Sequence, residues 1–205
     1  LFGNVKLKDV KFKHVTHLYD TWLVNKGVRR SNYHATCMSI VFNTAIRHEA
    51  MGINPVALIK RSKPPPRKVY WKESHVKLFL NTSFSQYRWR SIGLIVYMAY
   101  EWGQRLGDIR KLQWSNINFA SQRLDLEQSK RRADVHLPIT DDLFKQLQKQ
   151  HEEFSSSSNY VAPRVYPRSG SYSPYTMVEV SQLINEVKEE SGLPKKLWGM
   201  DLRRT

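Results

Sequence analysis

Apolar residues recur at helical spacing in the first part of the chain. The segment "VTHLYDTWLVNKG" places Leu18, Trp22 and Leu23 near one face of a helix. Intervals of three and four residues between apolar positions are typical of an amphipathic helix. Gly27 ends that segment, and glycine commonly closes a helix because it adopts a positive φ without strain. We therefore predict a first helix that ends at Gly27.

A second helical pattern occupies "SNYHATCMSIVFNTAIRHEAMG". We expect Ser31 to be its N-cap and Gly52 to end it, since serine and glycine are favoured at those two positions. The next stretch, "NPVALIK", predicts a third helix with Asn54 as its cap and Pro55 in the first helical position. These patterns predict a small helical bundle over residues 1–60.

Three consecutive prolines in "KRSKPPPRK" interrupt the helical pattern. Proline cannot continue a helix, and a run of prolines favours an extended and fairly stiff spacer. Basic residues flank the prolines on both sides. We predict a basic, proline-rich linker over residues 61–68 and a second domain over residues 69–205.

The second domain begins with helical patterns and contains a very apolar segment. We expect helices over residues 73–80, 89–102 and 106–112. The middle one includes "IGLIVYMAYEW", which is apolar nearly all round and therefore predicts a helix buried in the core. Gly103 follows it and is expected to close it in the left-handed conformation.

The hydrophobic period then changes from helical to alternating. The segments "RLDLEQ" and "DVHLPI" alternate and flank the basic turn "SKRRA", which predicts an antiparallel β-hairpin. Thr140 is expected to cap the next helix, and Ser173 with the following proline to open another helix that ends near Ser191. The predicted fold class is therefore mainly α with a small antiparallel β-sheet, in two domains.

A large excess of positive charge indicates what kind of partner this chain binds. The chain has 33 lysines and arginines against 18 acidic residues, a net charge of +15. Residues 1–70 hold 13 of the basic and 3 of the acidic residues. An excess of this density favours a polyanion, double-stranded DNA first, over a merely solvated basic surface or an anionic membrane. The basic residues expected to contact DNA are Arg29, Arg30, Lys60, Arg61, Lys63, Arg67 and Lys68.

Other classes of protein fit the sequence less well. The longest apolar run, residues 92–100, is too short to span a bilayer, and no secretory signal is evident. A single cysteine, Cys37, excludes an internal disulfide and is consistent with a reducing cytoplasm. The seven histidines show no zinc-ligand spacing, so we expect neither a metal nor a cofactor.

Three basic positions in the second domain suggest chemistry. Arg105 follows the buried helix, with Asp108 three residues later, and by itself this spacing is most often a salt bridge at a helix end. Lys130 lies on the predicted hairpin turn, where basic residues are usually only solvated. The chain then ends with "MDLRRT", which contains Arg203. No one of these features is specific, but their order is.

This order resembles the tyrosine recombinases, the phage integrase family. "WGQRLGD" takes the place of the family's "TGxRxxE", which makes Arg105 the first catalytic arginine and Asp108 its supporting acid. The family's hairpin lysine matches Lys130 in "QSKRRADVHLP". "MDLRRT" matches "HxLR[HR]T" and makes Arg203 the second catalytic arginine, with Arg204 as the other possible register. "MGINPVALIK" resembles the end of the family's core-binding domain.

The resemblance implies site-specific recombination of DNA. A tyrosine would attack a DNA phosphodiester and form a covalent 3′-phosphotyrosyl intermediate without metal or ATP. The two arginines would bind the phosphate oxygens, and the lysine would protonate the leaving 5′ oxygen. The full-length protein would assemble as a homo-oligomer, a tetramer on DNA. It would act in the cytoplasm of a bacterium or phage-infected cell, at the nucleoid.

Two departures from the family pattern qualify this hypothesis. Met200 occupies the position of the family's histidine, and a thioether cannot transfer a proton. The family's tyrosine follows the "LRRT" element, so we expect a catalytic domain truncated before its nucleophile and a fragment that is inactive alone. The alternative is a non-catalytic DNA-binding protein that keeps the recombinase fold. A tyrosine in a helix downstream of Thr205 would favour the enzyme.

Overall fold

A computed structural model describes residues 5–128 and 132–204 of the chain, except for the side chain of Arg204. The chain divides into two compact units, Leu1–Arg67 and Lys68–Thr205. The first unit is helical, and the second combines helices with a three-stranded antiparallel sheet. The predicted fold class is confirmed.

One long helix dominates the first unit. A 3-10 helix, η1, spans Leu7–Asp9, and α1 spans Phe12–Arg47 with a break at Gly27, where φ is 74° and ψ is 164°. The predicted interruption at Gly27 is therefore present. Ser31 is not the N-cap that we expected, because α1 resumes at once and the Ser31 hydroxyl donates to the Gly27 carbonyl at 2.9 Å inside the helix. The predicted end at Gly52 is also wrong.

The segment predicted as a third helix is a turn. Residues 55–58 form turns only, and the buried amide of Asn54 organises them. Asn54 Nδ2 donates to Asn43 Oδ1 at 2.7 Å and to Ser39 Oγ at 2.9 Å, while Asn54 Oδ1 accepts from the Val56 amide at 2.9 Å. These side-chain hydrogen bonds take the place of the main-chain hydrogen bonds of a helix. Asn54 followed by Pro55 therefore predicted a helix where the chain forms a turn.

A separate core holds the first unit together. Its buried apolar side chains come from the start of the chain, from α1 and from the turn, and they are Val10, Val15, Tyr19, Ala35, Phe42 and Val56. The start of the predicted linker lies against α1. The Ser62 amide donates to the Tyr19 hydroxyl at 2.9 Å, and Asn32 Nδ2 donates to the Ser62 carbonyl at 2.8 Å.

The second unit is built around one buried helix. Its α-helices are α2 (Glu73–Phe84), α3 (Arg90–Trp102), α4 (Leu106–Ile109), α5 (Asp141–Phe154) and α6 (Met177–Glu190). Its 3-10 helices are η2 (Tyr87–Trp89), η3 (Trp114–Asn116) and η4 (Gly199–Arg204). Helix α3 contributes seven buried apolar residues to the core, including Leu94, Ile95 and Met98, which are at most 1% exposed. The all-round apolar pattern of this segment therefore predicted its position correctly.

The sheet contains the predicted hairpin and one further strand. The strands are β1 (Ile117–Asn118), β2 (Arg123–Glu127) and β3 (Asp134–Pro138), in the order β1-β2-β3. Leu124 on β2 lies opposite Leu137 on β3 and opposite Ile117 on β1. Strand β1 was not predicted, because two residues are too few to show an alternating pattern.

Helix ends in the second unit differ in places from the sequence prediction. Gly103 closes α3 with φ 58° as expected, but α4 ends at Ile109 rather than at residue 112. Helix α6 starts three residues after Pro174, because Thr176 and Glu179 form a capping box there. The Glu179 amide donates to Thr176 Oγ1 at 3.2 Å, and the Thr176 amide donates to Glu179 Oε2 at 2.7 Å. That reciprocal pair decides where the helix begins.

Candidate functional site

Arg105 lies between the end of α3 and the first turn of α4. The reversal at Gly103 takes the chain away from α3, and the Arg105 carbonyl accepts the amides of Asp108 and Ile109 at 2.9 and 3.0 Å. This turn brings the acid back to the arginine, and Arg105 Nη1 lies 3.6 Å from Asp108 Oδ2. The Arg105 side chain is 25% exposed and that of Asp108 is 5% exposed. The guanidinium is therefore mostly buried beside a buried carboxylate.

The donors of Arg105 are incompletely used. Within residues 5–128 and 132–204, Arg105 Nη1 is buried and makes no hydrogen bond. A guanidinium carries five N–H donors and keeps its charge when buried, so leaving a donor unsatisfied is costly. Nη1 therefore faces Asp108 as an ion pair at 3.6 Å, and an anion could be reached only by the other N–H donors of the guanidinium.

Helix η4 presents Met200 and Arg203 on its exposed side. Between them in sequence, Asp201 and Leu202 are buried, and Asp201 Oδ2 accepts the Trp198 amide at 3.1 Å. The Trp198 carbonyl in turn accepts Trp71 Nε1 at 3.0 Å. These contacts fix η4 to the core, while Met200 remains 59% exposed.

A single cavity of about 390 Å³ brings the two arginines together. Arg105 and Arg203 both line it, as does Met200, although these residues are far apart in the sequence. The rest of the wall consists of Gln104, Leu106, Gly107, Met177 and Gly199. Two arginine residues thus lie at one cavity, and arginine is suited to bind an anion with several oxygens, such as a phosphodiester.

Gly199 allows η4 to lie close to α4 and α6. A Cβ atom at this position would lie 2.7 Å from Leu106 Cδ1 and 3.1 Å from Ile184 Cδ1. Real Cβ atoms do not tolerate the shorter of these distances, so any larger residue would displace Leu106 or η4. The close approach places Arg203 beside the segment that holds Arg105.

Lys130 lies outside the described residues, so its position relative to the two arginines stays a prediction. The hairpin that carries it is described up to Gln128 and again from Arg132. Gln128 Nε2 donates to Gln104 Oε1 at 2.6 Å, and Gln104 directly precedes Arg105. The sequence analysis did not identify either glutamine, and only their adjacency to Arg105 and Lys130 could have drawn attention to them.

A second cavity, of about 590 Å³, adjoins the first. The two share Leu106, Met177, Gly199 and Met200. Lys188 also lines the second cavity and is only 4% exposed; its Nζ donates to Asn185 Oδ1 at 3.0 Å and to the Lys195 carbonyl at 3.3 Å. Burial lowers the pKa of the Lys188 ammonium below its ordinary value. The sequence analysis did not single out this lysine.

The basic residues expected to contact DNA are largely accessible. Arg29, Arg30, Lys60, Arg61, Lys63 and Lys68 are exposed, and Arg67 is half-buried. Arg61 Nη1 donates to Thr36 Oγ1 at 2.8 Å, so this guanidinium lies along α1. The six exposed side chains are therefore accessible to a polyanion.

Two features are absent from the part of the chain that the structure describes. Its histidine, cysteine, aspartate and glutamate residues form no group of three or more that could hold a metal ion. None of its helices combines the length and the apolar character needed to cross a membrane.

Known proteins resemble most of this chain. A model of the phage integrase family matches residues 72–205. The integrase of Escherichia phage HK022 is 26% identical over 193 residues, which cover 91% of this chain and 51% of that protein. The chain therefore spans about half the length of this relative.

Solved structures of lambda integrase share the fold. A lambda integrase dimer bound to a COC′ core site superposes with a TM-score of 0.76 at 20% identity, over 96% of this chain and 56% of that one. A lambda integrase tetramer bound to a Holliday junction gives a TM-score of 0.75 at 19% identity, over 96% and 58% of the two chains. These matches cover both units.

Proposed function

Because the chain belongs to the phage integrase family, we propose that it forms part of a site-specific recombinase that cleaves and rejoins DNA through a phosphotyrosyl intermediate. The observation that carries the proposal is the cavity lined by both Arg105 and Arg203. The family resemblance predicted these two arginines as a pair, and they line one cavity despite their distance in the sequence.

The arginines act on the phosphate in this mechanism. Attack on a phosphodiester builds negative charge on the non-bridging oxygens of a five-coordinate phosphorus. Arg105 and Arg203 offer charge-assisted donors to those oxygens, and these hydrogen bonds strengthen as the charge develops. Asp108 lies 3.6 Å from Arg105 Nη1 and limits where the guanidinium can point.

The covalent step transfers the phosphoryl group from DNA to tyrosine. The tyrosine oxygen forms a bond to phosphorus while the bond from phosphorus to the 5′ oxygen breaks. Lys130 gives its proton to that 5′ oxygen, and the phenolic proton passes to a base or to water. None of the residues that line the described cavity is a tyrosine, so the proposal assigns the nucleophile to another part of the longer protein. The phosphotyrosyl bond conserves the energy needed to rejoin the strand.

DNA binding would begin with the first unit and the linker. Arg29, Arg30, Lys60, Arg61, Lys63, Arg67 and Lys68 are the proposed phosphate contacts. Two of the solved structures with this fold are lambda integrase assemblies, one a dimer on a core site and one a tetramer on a Holliday junction. We propose that the present protein likewise acts as a homo-oligomer on double-stranded DNA.

Met200 supports one alternative function. The family's histidine position is occupied by a half-exposed thioether, which cannot accept the phenolic proton. A protein that keeps the fold and the basic surface but does not cleave DNA would tolerate this residue. The alternative is therefore a non-catalytic DNA-binding protein.

A covalent-adduct experiment separates the two functions. The full-length protein is incubated with nicked duplex core-site DNA, from which the cleaved strand diffuses away, and adducts are resolved in denaturing gels. The wild type should form an adduct. Arg105→Ala and Arg203→Ala should lose about 10²-fold or more of the cleavage rate, because each removes a donor that acts mainly in the transition state.

The matched control is Arg88→Ala, since Arg88 is exposed and stacks on Trp89 at 4.0 Å, away from the cavity. It should cleave at the wild-type rate. Binding of DNA without any adduct by the wild type would refute the recombinase and support the alternative. Wild-type rates for both cavity variants would also contradict the proposed roles.

A further inference from the structure

Met200 lies in the wall between two cavities. It lines the cavity of Arg105 and Arg203, and it also lines the larger cavity beside it. The resemblance to the family matches this position to a histidine, but a thioether takes no proton from a phenol. The proposed function therefore needs another acceptor for the phenolic proton, and the groups that line the two cavities are the candidates.

Only one of these groups is suited to accept a proton. Among the described residues, the charged side chains that line the two cavities are Arg105, Arg203, Lys188, Glu189 and Lys195. A guanidinium keeps its proton and has no acceptor site. Glu189 and Lys195 are exposed, and water stabilises the charged forms of both groups, so the first is a weak base and the second is already protonated. Lys188 differs because it is buried.

The hydrogen bonds of Lys188 suit a neutral amine. Its Nζ donates to Asn185 Oδ1 at 3.0 Å and to the Lys195 carbonyl at 3.3 Å, and both acceptors are uncharged. An ammonium has three N–H donors, whereas a neutral amine has two donors and a lone pair. The two hydrogen bonds thus occupy both donors of the neutral amine and leave its lone pair to accept a proton.

The surroundings of Lys188 favour the same form. The residue is 4% exposed. The apolar side chains that line the second cavity with it are Leu106, Met177, Ile184, Leu193, Trp198 and Met200. Burial among such groups disfavours an ammonium ion and lowers the pKa of Lys188, while the charge of Glu189 opposes part of that effect.

We propose that Lys188 accepts the proton of the attacking tyrosine, in place of the histidine that the family pattern has at the position of Met200. The inference rests on the proposed function. As the phenolic oxygen bonds to phosphorus, its O–H bond breaks and the proton passes through solvent in the two cavities to the lone pair of Nζ. Lys188 becomes an ammonium, and the 5′ oxygen is protonated separately as it leaves. When the strand is rejoined, the ammonium returns its proton to the tyrosine oxygen.

Single-turnover cleavage of nicked core-site DNA by the full-length protein tests this role. Lys188→Arg keeps a cation and its N–H donors at this position but removes the ability to accept a proton. It should slow cleavage by about 10²-fold, the low end of what proton transfer by a positioned side chain contributes. Lys195→Arg is the matched control, because Lys195 lines the same cavity but is exposed. It should cleave at the wild-type rate.

A second substitution distinguishes loss of a base from damage to packing. Met200→His supplies an imidazole as an alternative acceptor, so it no longer depends on Lys188. The double variant Met200→His/Lys188→Arg should therefore cleave within about threefold of Met200→His alone. A double variant as slow as Lys188→Arg would show a structural defect and overturn the inference. A wild-type rate for Lys188→Arg alone would overturn it as well.

The protonation of Lys188 is measured on residues 1–205 without any cleavage. Carbon-13 resonances of the lysine Cε atoms are followed from about pH 6 to about pH 11, and the Lys188 signal is identified by its loss in Lys188→Arg. It should titrate at a lower pH than that of Lys149, which is exposed on α5. Titration of Lys188 together with Lys149 would overturn the inference whatever the cleavage rates. A full-length wild type that binds DNA but forms no adduct would contradict the proposed function itself, whereas the other adverse outcomes contradict the inference alone.

Discussion

Met200 is the residue that the resemblance to the family matches to a histidine. It lies on η4, lines the same cavity as Arg105 and Arg203, and is 59% exposed. A thioether accepts hydrogen bonds weakly and takes no proton at physiological pH. In the proposed mechanism the phenolic proton must therefore leave by another route, which makes this position a direct test of the recombinase function.

Replacing Met200 by histidine should accelerate cleavage. An imidazole at this position would accept the phenolic proton, and positioned general bases contribute about 10²-fold or more in favourable cases. We expect Met200→His to raise the single-turnover rate by about tenfold, with the gain appearing above about pH 6.5, where imidazole is neutral. The measurement is the rate of adduct formation between pH 5.5 and pH 8.

The matched control for this experiment is Met177→His. Met177 lines the same cavity from α6. The Met177→His variant therefore places an imidazole nearby but not at the position of Met200. Its rate should stay at the wild-type value. No gain at Met200 would show that proton transfer to this position does not limit cleavage, and an equal gain at both positions would show that the effect is not specific to Met200.

Glu179 is a strongly hydrogen-bonded carboxylate in the first turn of α6. Burial raises its pKa, but the Thr176 amide and hydroxyl and the Arg164 guanidinium outweigh burial and lower the pKa to about 2. Arg164 Nη2 donates to Glu179 Oε2 at 2.5 Å, and the Glu179 side chain is 21% exposed. The start of α6 therefore depends on an ionised carboxylate.

This pKa predicts a pH-dependent contribution to stability. The folded pKa lies below that of the unfolded chain, so the contribution is complete above about pH 4.5 and is lost as the pH falls towards about 2. Glu179→Gln should lower the free energy of unfolding by about 2 kcal/mol at pH 7, as expected for hydrogen bonds to a charged group. Its difference from the wild type should shrink below pH 4.5.

Denaturant unfolding at several pH values provides the measurement. Glu190→Gln, at an exposed position near the end of the same helix, is the control and should unfold like the wild type at pH 7. A difference between wild type and Glu179→Gln that stays constant from pH 7 to pH 2.5 would contradict the role of the ionised carboxylate.

At the scale of secondary-structure elements, the site depends on how closely η4 lies against α4 and α6. Gly199 contributes no side chain at that contact, and Leu106 and Ile184 occupy the space beside it. Leu106 follows Arg105, so a shift of Leu106 would be transmitted to the arginine. The packing of η4 against Leu106 and Ile184 therefore affects the geometry of the cavity.

Gly199→Ala should reduce cleavage through this contact. The new Cβ would lie 2.7 Å from Leu106 Cδ1, so the end of this flexible side chain must shift, and we expect a cost of about 1 kcal/mol, the low end for overpacking. Leu106→Ala in the same protein should restore part of the cleavage rate, because it removes the clashing methyl group. Unfolding curves and single-turnover rates of the two single variants and the double variant provide the measurement.

Gly52→Ala serves as the control, since a Cβ at Gly52 meets no atom within 4 Å and the residue lies in the first unit. It should leave both stability and cleavage near the wild-type values. If the double variant is as slow as Gly199→Ala alone, the effect does not pass through Leu106.

At the scale of the whole molecule, the distribution of charge is uneven. Residues 1–70 carry 13 lysines and arginines against 3 acidic residues, whereas the rest of the chain carries 20 against 15. Each phosphate that a protein neutralises releases condensed counterions from the DNA. The proposed DNA binding should therefore be strongly salt-dependent and should rely on the first unit and the linker.

Duplex binding by residues 1–205 should weaken steeply as salt is added. Each phosphate contact contributes about −0.9 to the slope of log affinity against log salt, so the Lys60→Ala/Lys63→Ala double variant should make that slope less negative by about 2. Lys149→Ala, at an exposed position on α5, should leave it unchanged. Fluorescence titrations at several salt concentrations provide the slopes. A flat response, or an equal loss in the control, would contradict the assignment.

The sequence alone determined the features that arise within a few residues of each other. The apolar periodicity of α3, the stop at Gly103 and the alternation of the hairpin strands predicted these elements correctly, because each depends on local backbone preferences and on one buried face. The order of arginine, basic hairpin and "LRRT" predicted the family, which the match over residues 72–205 confirms.

Only the tertiary structure decided what depends on contacts between distant segments. The turn at Asn54 replaced a predicted helix because Ser39 and Asn43 on α1 supply its partners. The Gln104–Gln128 hydrogen bond and the close approach at Gly199 join segments that no local pattern relates. Hydrogen bonds and van der Waals contacts act over a few ångströms in space, so folding had to bring these residues together before they could interact.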